Sequence, residues 1–424
     1  MTASRQRRRT STWAALTAAL VGLVLAAVLV VAGVRTLADS TAGRAADGPT
    51  DITPTRRLPN TVTALVGTAD DEGRLTSTVV MALEPDGTGG TIVGFAGSAD
   101  AQSGNTPELQ PINAVLERHG ADGFREAATG ITGMSFDVIE IVDPQRLAQL
   151  ITPLGDLSVL VPSTLFDADT GEEWPPGETV MAAPTAARAV TATDPSMPDW
   201  FSEPARAAVW RAIAQRVGAG IGTAAPVESD EQLIAPTSLD EFMARLFAGP
   251  VVFRPMTYAV IDDERLAEEL VDDLVGAFGP GSVDAAVAHD RAEVAMVLGA
   301  IAPGRLGAPL EGPRFRVLAG YSSGDLSTLP GDGVNTGDVL KVAIDRLIFA
   351  RVNVLSVADM REAGVPDVTL VEVADPSVID AVEEEYSKLL GEVDVRATDV
   401  AIDGIDIEVT LGRSFLEEVR EARG

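Results

Sequence analysis

The chain has 424 residues, no cysteine and a formal net charge of −31, and 46% of its residues are hydrophobic. This length and apolar content allow two or three folded domains and exclude a disordered chain. The absence of cysteine excludes disulfide scaffolds and thiolate metal sites. Because the acidic surface repels phosphate-rich polymers, the composition argues against nucleic-acid binding.

The N-terminal segment differs in charge from the rest of the chain. Residues 1–35 contain five arginines and no acidic residue, so the remainder carries −36. Residues Trp13–Val34 are uncharged and mainly apolar, and about 20 such residues span a bilayer core. The preceding arginines favour a cytoplasmic N-terminus. The sequence therefore predicts a cytoplasmic tail at 1–12, a single-pass transmembrane helix at 13–34 and an extracytoplasmic bulk. A cleaved signal peptide is the alternative, but its apolar region is normally shorter.

Composition changes again after the apolar segment. Residues 35–59 are rich in Ala, Gly, Asp, Thr and Pro without periodicity, which predicts a linker. Three β-rich runs follow, separated by polar turns, and they predict strands at Thr61–Gly67, Thr76–Glu84 and Thr91–Phe95.

The stretch Pro111–Pro162 contains a regular series of predicted elements. A helix that begins after Pro111 is interrupted at Gly120, and the alternating segment Phe136–Val142 predicts a strand. Pro144 suits the first turn of the next helix, which leads into a strand at Leu157–Val161. This order predicts one unit of a layered α/β domain.

Parts of this stretch resemble the LytR-CpsA-Psr (LCP) family of extracellular, membrane-anchored proteins. The resemblance is carried by Ile112–Ala114, Ile141–Asp143 and Leu150–Gly155, and extends from Asn60 to Gly218. It implies an LCP-like layered α/β domain with a central sheet, which we expect over residues 60–310. Members of this family transfer a glycopolymer from a polyprenyl-pyrophosphate carrier onto peptidoglycan, usually with a divalent metal.

The charges that such chemistry needs are replaced in this chain. Phosphoryl transfer requires cations on the pyrophosphate and a carboxylate that holds a metal or accepts a proton. The resemblance implies an acid before Thr78, a Pro-Arg-Asp motif after the third strand, and two arginines after a strand ending at Ala189–Val190. The small or hydroxyl residues at these positions are Ser77, Gly97, Ser98, Thr191 and Thr193. Arg206 is the arginine that remains as a counterpart of a later family position. The hydroxyl groups could bind a neutral sugar or merely cap strand ends.

The C-terminal region predicts a second, smaller α/β domain over residues 313–415. Its order of strand, helix, strand, strand, helix and strand is similar to the LytR_C domain that follows many actinobacterial LCP cores. Val317–Gly320 and Val409–Gly412 carry this resemblance. The charge of this region and its lack of a motif favour a binding or spacing module over an enzyme, and the resemblance implies a source among high-GC Gram-positive bacteria.

These features together favour a noncatalytic pseudoenzyme of cell-envelope assembly. It would bind a polyprenyl-linked or wall glycan, or modulate active relatives among other envelope proteins. No catalytic residue, metal ligand or cofactor is predicted, and neither His119 nor His289 has a second histidine at ligand spacing. Two alternatives stay open: a glycopolymer phosphotransferase, whose cofactor would be Mg²⁺, and a structural envelope protein.

Overall fold

The computed structural model describes residues 54–101, 110–222, 224, 226, 234–261, 286–308, 311–326, 334–359 and 364–423. Thr55–Gly424 form one compact unit with a mixed α/β architecture. The predicted transmembrane helix at 13–34, the tail before it and most of the linker lie outside the described residues. Within the described ranges, no helix has the length and apolar character needed to cross a membrane.

A five-stranded mixed sheet is the centre of the N-terminal part. Its strands are β2 (Thr63–Ala69), β3 (Leu75–Leu83), β4 (Gly90–Ala96), β5 (Val138–Val142) and β10 (Val251–Pro255), in the order β10-β4-β3-β2-β5. β3 is antiparallel to both neighbours, while the edge strands β5 and β10 run parallel to β2 and β4. The first three predicted strands are therefore confirmed, with shifts of one or two residues at their ends.

Helices cover both faces of this sheet. They are α1 (Ile112–Thr132), α2 (Pro144–Ile151), α3 (Ala183–Thr191), α4 (Glu203–Val217), α5 (Leu239–Leu246) and α6 (Arg291–Ile301). Val79 and Met81 on one face belong to the core formed with α2 to α5, which includes Trp210. Val80 on the opposite face belongs to the core formed with α1 and α6, which includes Phe124. Burial on both faces explains why these strands are almost continuously apolar.

The remaining strands of this part form small pairs outside the central sheet. They are β6 (Leu157–Val161) with β9 (Gly177–Met181), β7 (Leu165–Asp167) with β8 (Glu172–Trp174), and β11 (Tyr258–Val260) with β12 (Val287–His289). The strand predicted at Leu157–Val161 is thus present, but it does not join the central sheet. The pattern of residues 265–278 also predicts an amphipathic helix, and this segment lies outside the described residues.

The prediction that a strand ends at Ala189–Val190 is wrong. These residues lie in helix α3, which begins at Ala183. Four of its nine residues are alanine, the strongest helix former, and its proline occupies the first turn, where no backbone donor is lost. Local propensity therefore overrides the family pattern at this position.

A second five-stranded sheet forms the C-terminal part. It contains β13 (Arg314–Ala319), β14 (Asn353–Asp359), β15 (Thr369–Val373), β16 (Val393–Ala397) and β18 (Ile407–Thr410), in the order β14-β13-β18-β15-β16. Its helices are α7 (Ser323–Leu326), α8 (Thr336–Phe349), α9 (Ile379–Leu390) and α10 (Arg413–Arg423). β16 and α10 were not predicted. The short strands β1 (Thr55–Arg56) and β17 (Ala401–Ile402) pair in parallel. The division of the chain into separate domains at residues 60–310 and 313–415 stays a prediction.

The end of helix α8 offers a test of backbone strain. Arg351 has φ of 61°, and the amides of Arg351 and Val352 donate to the carbonyls of Ile348 and Leu347. This is a Schellman motif, in which the left-handed position favours glycine. We expect Arg351→Gly to raise the free energy of unfolding by about 1 kcal/mol, because the side-chain clash is relieved. Urea denaturation checks this, with Arg351→Ala as the control that removes the side chain but keeps the strain. Equal stability of the two variants would contradict the interpretation.

Candidate functional site

Arg206, on helix α4, is the centre of the candidate site. Its side chain is fully buried beside the start of β3. Nη1 donates to the carbonyl oxygen of Thr76 at 2.7 Å, and Nη2 donates to that of Ala192 at 2.8 Å. Trp210, one turn later on the same face, is anchored in the core. The arginine therefore joins β3, the residue after α3, and α4.

Two carboxyl groups lie against this guanidinium. Asp199 belongs to the 3₁₀ turn Asp199–Phe201 that precedes α4, and its Oδ1 is 2.8 Å from Nη2. Glu203, the first residue of α4, places Oε2 3.8 Å from Nη1. Because an arginine keeps its proton in proteins, its positive charge must be balanced locally when it is buried. Asp199 makes the closer contact of the two.

Glu203 is held mainly in its neutral form. Burial raises the pKa of Glu203 to about 8, because desolvation outweighs the attraction of Arg206, and the charge of Asp199 raises it further. At neutral pH most of the Glu203 carboxyl groups are therefore protonated. Asp199 and Arg206 form the ion pair, and Glu203 accompanies it as an uncharged acid.

A second charged group surrounds the turn between β2 and β3. Arg74 Nε is 2.7 Å from Asp70 Oδ2, and Nη2 donates to Thr193 Oγ1 at 3.3 Å. Asp169 lies 3.9 Å from the same guanidinium. Burial, together with the neighbouring charges of Asp70 and Asp167, raises the pKa of Asp169. The carboxylates outnumber the arginine here.

Arg188, on helix α3, extends this charged group. We call Asp70, Asp71, Arg74, Asp167, Asp169 and Arg188 the charged rim. Its Nη1 is 3.1 Å from Asp71 and 4.0 Å from Asp167. Asp167 and Asp70 are both buried, so they keep their counter-ions close. The arginines of the rim are thus already paired with acids of the same chain, and the rim as a whole presents negative charge.

The structure brings three of the sequence-predicted positions to one place. Ser77 and Gly97 lie beside Thr76, whose carbonyl binds Arg206, and a Cβ added to Gly97 would lie 2.8 Å from that same backbone carbonyl. Ser77 is buried, and its Oγ has no hydrogen-bond partner within the described ranges. A side chain at position 97 would therefore need the backbone to move.

The other predicted positions have different surroundings. Ser98 is buried in the turn after β4, and its Oγ has no hydrogen-bond partner in the part of the chain that the structure describes. Thr191 bonds back to its own helix, since its Oγ1 donates to the Ala187 carbonyl at 3.2 Å. Thr193 lies in the charged rim, where it accepts from Arg74. Thr191 is thus used locally within helix α3 and caps no strand end, and its part in binding a sugar stays a prediction.

Sequence reasoning missed Asp199 and Arg74. The available signals were weak: an acid seven residues before Arg206, and an acidic turn directly before Arg74. Neither spacing by itself indicates contact, because Asp70 and Arg74 lie in a turn and Asp199 lies seven residues before Arg206, outside helix α4. Thr76 and Arg206 are 130 residues apart in the chain.

The residues around Arg206 do not fit a magnesium site. Mg²⁺ needs carboxylate oxygens that are free to coordinate it, but Asp199 is paired with the guanidinium and Glu203 is largely protonated. In the part of the chain that the structure describes, no group of three or more His, Cys, Asp or Glu residues could hold a metal ion. No step of the chemistry is therefore assigned to a metal.

Comparison with known proteins gives likeness at the level of structure. No family model matches the chain, and no curated protein matches it. A solved structure of B. subtilis TagV is similar with a TM-score of 0.35 and 16% identity, over 48% of this chain and 88% of that one.

Two further solved structures are similar to a comparable extent. The structure titled "TagT bound to LIIa-WTA" has a TM-score of 0.35 and 13% identity, over 55% of this chain and 98% of that one. A putative transcription regulator from Eubacterium siraeum has a TM-score of 0.38 and 13% identity, over 58% of this chain and 94% of that one. TM-scores this low do not assign the chain to a family.

Proposed function

We propose that this protein is a noncatalytic, membrane-anchored member of the cell-envelope machinery that binds a polyprenyl-linked or wall glycan. The LCP resemblance at Ile112–Ala114, Ile141–Asp143 and Leu150–Gly155 supports the envelope role. The N-terminal apolar segment Trp13–Val34 supports the anchor.

The state of Arg206 carries the noncatalytic part of this proposal. In phosphoryl transfer, cations must face the oxygens on which charge develops. The Arg206 guanidinium instead donates to two backbone carbonyls and pairs with Asp199 at 2.8 Å. Its side chain is only 1% exposed, so a pyrophosphate has no access to it in this arrangement.

The surroundings of Arg206 give the same indication. Losing one donor to a developing charge typically costs about 10²–10³ in rate. Gly97 leaves no room for a side chain beside Thr76, and the rim arginines Arg74 and Arg188 are paired with acids. We therefore expect turnover to be lost while the scaffold that holds a glycan is retained.

The test uses the full-length protein in detergent micelles with a polyprenyl-pyrophosphate-linked glycan, peptidoglycan and Mg²⁺. We expect no phosphate release above a protein-free control, because the site arginines in the described part of the chain, Arg74, Arg188 and Arg206, are all paired with acids. Retention of the labelled lipid-linked glycan, or of a wall glycan, on the immobilised protein should exceed that of a denatured sample. An active LCP enzyme serves as the positive control for turnover.

The outcomes separate the alternatives. Phosphate release by the wild-type protein would establish the transferase and overturn the proposal. Absence of both turnover and glycan retention would favour a structural envelope protein. Retention without turnover is the result that the proposal requires.

A further inference from the structure

Residues 193–202 lead from α3 to α4. Arg206 contacts the residue just before this segment, Ala192, and Asp199 within it. Nη2 binds the carbonyl oxygen of Ala192, directly before the segment, and the carboxylate of Asp199 within it. Nη1 also lies 3.5 Å from the Asp199 carbonyl oxygen. On the outer side, Tyr258 donates its hydroxyl to the Trp200 carbonyl at 3.1 Å. We call residues 193–202 the strap.

The Asp199 carboxylate contacts Arg206 in the way that an oxyanion of a bound ligand would. A guanidinium presents a planar set of donors that matches carboxylate and phosphate oxygens. Asp199 Oδ1 accepts from Nη2 of that set on the strap side, at 2.8 Å. The chain therefore supplies its own anion, the Asp199 carboxylate, to the buried Arg206 guanidinium.

We propose that Asp199 is an autoinhibitory counter-ion and that the strap closes Arg206 against a diphosphate group. This inference rests on the proposed function and adds its regulation. In the closed arrangement the Arg206 guanidinium does not contact the diphosphate of a bound ligand; when the strap is displaced, the guanidinium exchanges Asp199 for the external oxyanion. The exchange changes only noncovalent partners, so no bond is made or broken.

Unpaired polar atoms around Arg206 support a second arrangement of this region. Among the residues that the structure describes, the buried atoms around Arg206 that lack a hydrogen-bond partner are Ser77 Oγ, Asp199 Oδ2, Glu203 Oε2, Arg206 Nε and Trp210 Nε1. Folded proteins rarely leave buried polar atoms unpaired, because each one loses its bonds to water without replacement. Five such atoms in one site indicate that the closed strap is incompletely satisfied. A bound diphosphate, which offers many acceptor oxygens, would supply partners for the donors.

Glu203 determines which variant tests the proposal. It is 3.8 Å from Arg206, and the charge of Asp199 helps to keep it protonated. Removing the Asp199 charge alone allows Glu203 to ionise and take its place. The informative variant is therefore Asp199→Asn combined with Glu203→Gln, which removes both carboxylates and keeps their shapes.

The experiment measures diphosphate binding by the full-length protein in micelles, by calorimetry and by the thermal unfolding midpoint. Inorganic pyrophosphate and a polyprenyl pyrophosphate are titrated separately, which distinguishes a free from a lipid-linked source. We expect the double variant to bind at least about tenfold more tightly than wild type, the usual effect of a charge-assisted hydrogen bond. Amide hydrogen exchange of residues 193–202 should also be faster in the double variant than in wild type without ligand.

Adding Arg206→Met to the double variant provides the matched control, since the strap is released but no guanidinium remains. Should the double variant unfold, Asp199→Asn alone is titrated, and a gain of about threefold is expected because Glu203 substitutes in part. The proposal is overturned if neither variant binds more tightly than wild type, or if the control gains equally. It is also overturned if wild type already binds as tightly as the variants. Wild-type turnover, measured separately, would reject the proposed function instead.

Discussion

Replacing Arg206 with methionine is expected to lower the free energy of unfolding by about 3–5 kcal/mol, the usual result of breaking a buried ion pair by removing one partner. Methionine fills much of the same volume, so the loss reports the charge and its hydrogen bonds more than a cavity. The carbonyl groups of Thr76 and Ala192 would lose their donors, and Asp199 would lose its counter-ion. Guanidinium chloride denaturation at pH 7 measures the change.

Arg216→Met is the matched control for this prediction, because it places the same substitution on an exposed position of the same helix. We expect an effect within about 0.5 kcal/mol there. A loss below about 1 kcal/mol for Arg206→Met would mean that the ion pair contributes little to the fold. Combining Arg206→Met with Asp199→Leu should recover part of the loss, since apolar groups can replace a buried ion pair when both partners are changed.

The stability of wild type relative to Glu203→Gln is expected to fall as pH rises from 4.5 to about 8. Burial raises the pKa of Glu203 from 4.5 to about 8 in the folded protein. Between these values the folded state binds the proton more than the unfolded state does, so unfolding becomes easier as pH increases. The stabilisation is complete below pH 4.5 and is lost as pH rises through the folded pKa, with a slope of up to about 1.4 kcal/mol per pH unit.

The groups that face Glu203 leave this sign unchanged. Arg206 on the same helix keeps its charge throughout this pH range. Burial raises the pKa of Tyr258 on β11, which therefore lies still further above this range. Asp199 precedes the helix, and Asp70 acts on Arg206 from the turn after β2. Because these groups are present in both proteins, the difference between wild type and Glu203→Gln isolates the Glu203 contribution.

The measurement is urea denaturation of both proteins at four pH values between 5 and 8. A glutamine resembles the protonated acid, so the two stabilities should be close at pH 5 and diverge as the pH rises. Parallel pH profiles would show that Glu203 is already ionised in the folded state. In that case Arg206 would have two charged partners, and the strap would be held more tightly than we propose.

Some local structure followed directly from the residues. Asp143 before Pro144 begins helix α2, and its side chain accepts from the Arg146 amide at 2.7 Å. Ser238, with Glu241 three residues later, is a sequence signature of a helix start, and Ser238 caps α5 by accepting from the Glu241 amide. The Glu241 carboxylate, however, accepts from the Thr237 amide, one residue earlier than in a full capping box. Such features depend on groups within one turn, so the sequence contains the information needed.

The sequence by itself determined the apolar strands β2 to β4, the helix starts at Asp143 and Ser238, and the charge that argues against nucleic-acid binding. Only the tertiary structure decided that Ala189–Val190 are helical and that β6 pairs outside the central sheet. It also decided that Arg206 meets Thr76 and Asp199. Helix and strand patterns arise from neighbours a few residues apart, whereas the contact of Arg206 with the Thr76 carbonyl depends on how segments 130 residues apart pack. The sequence therefore shows that an arginine stands at position 206, but its burial and its contact with Thr76 are fixed only when the chain folds.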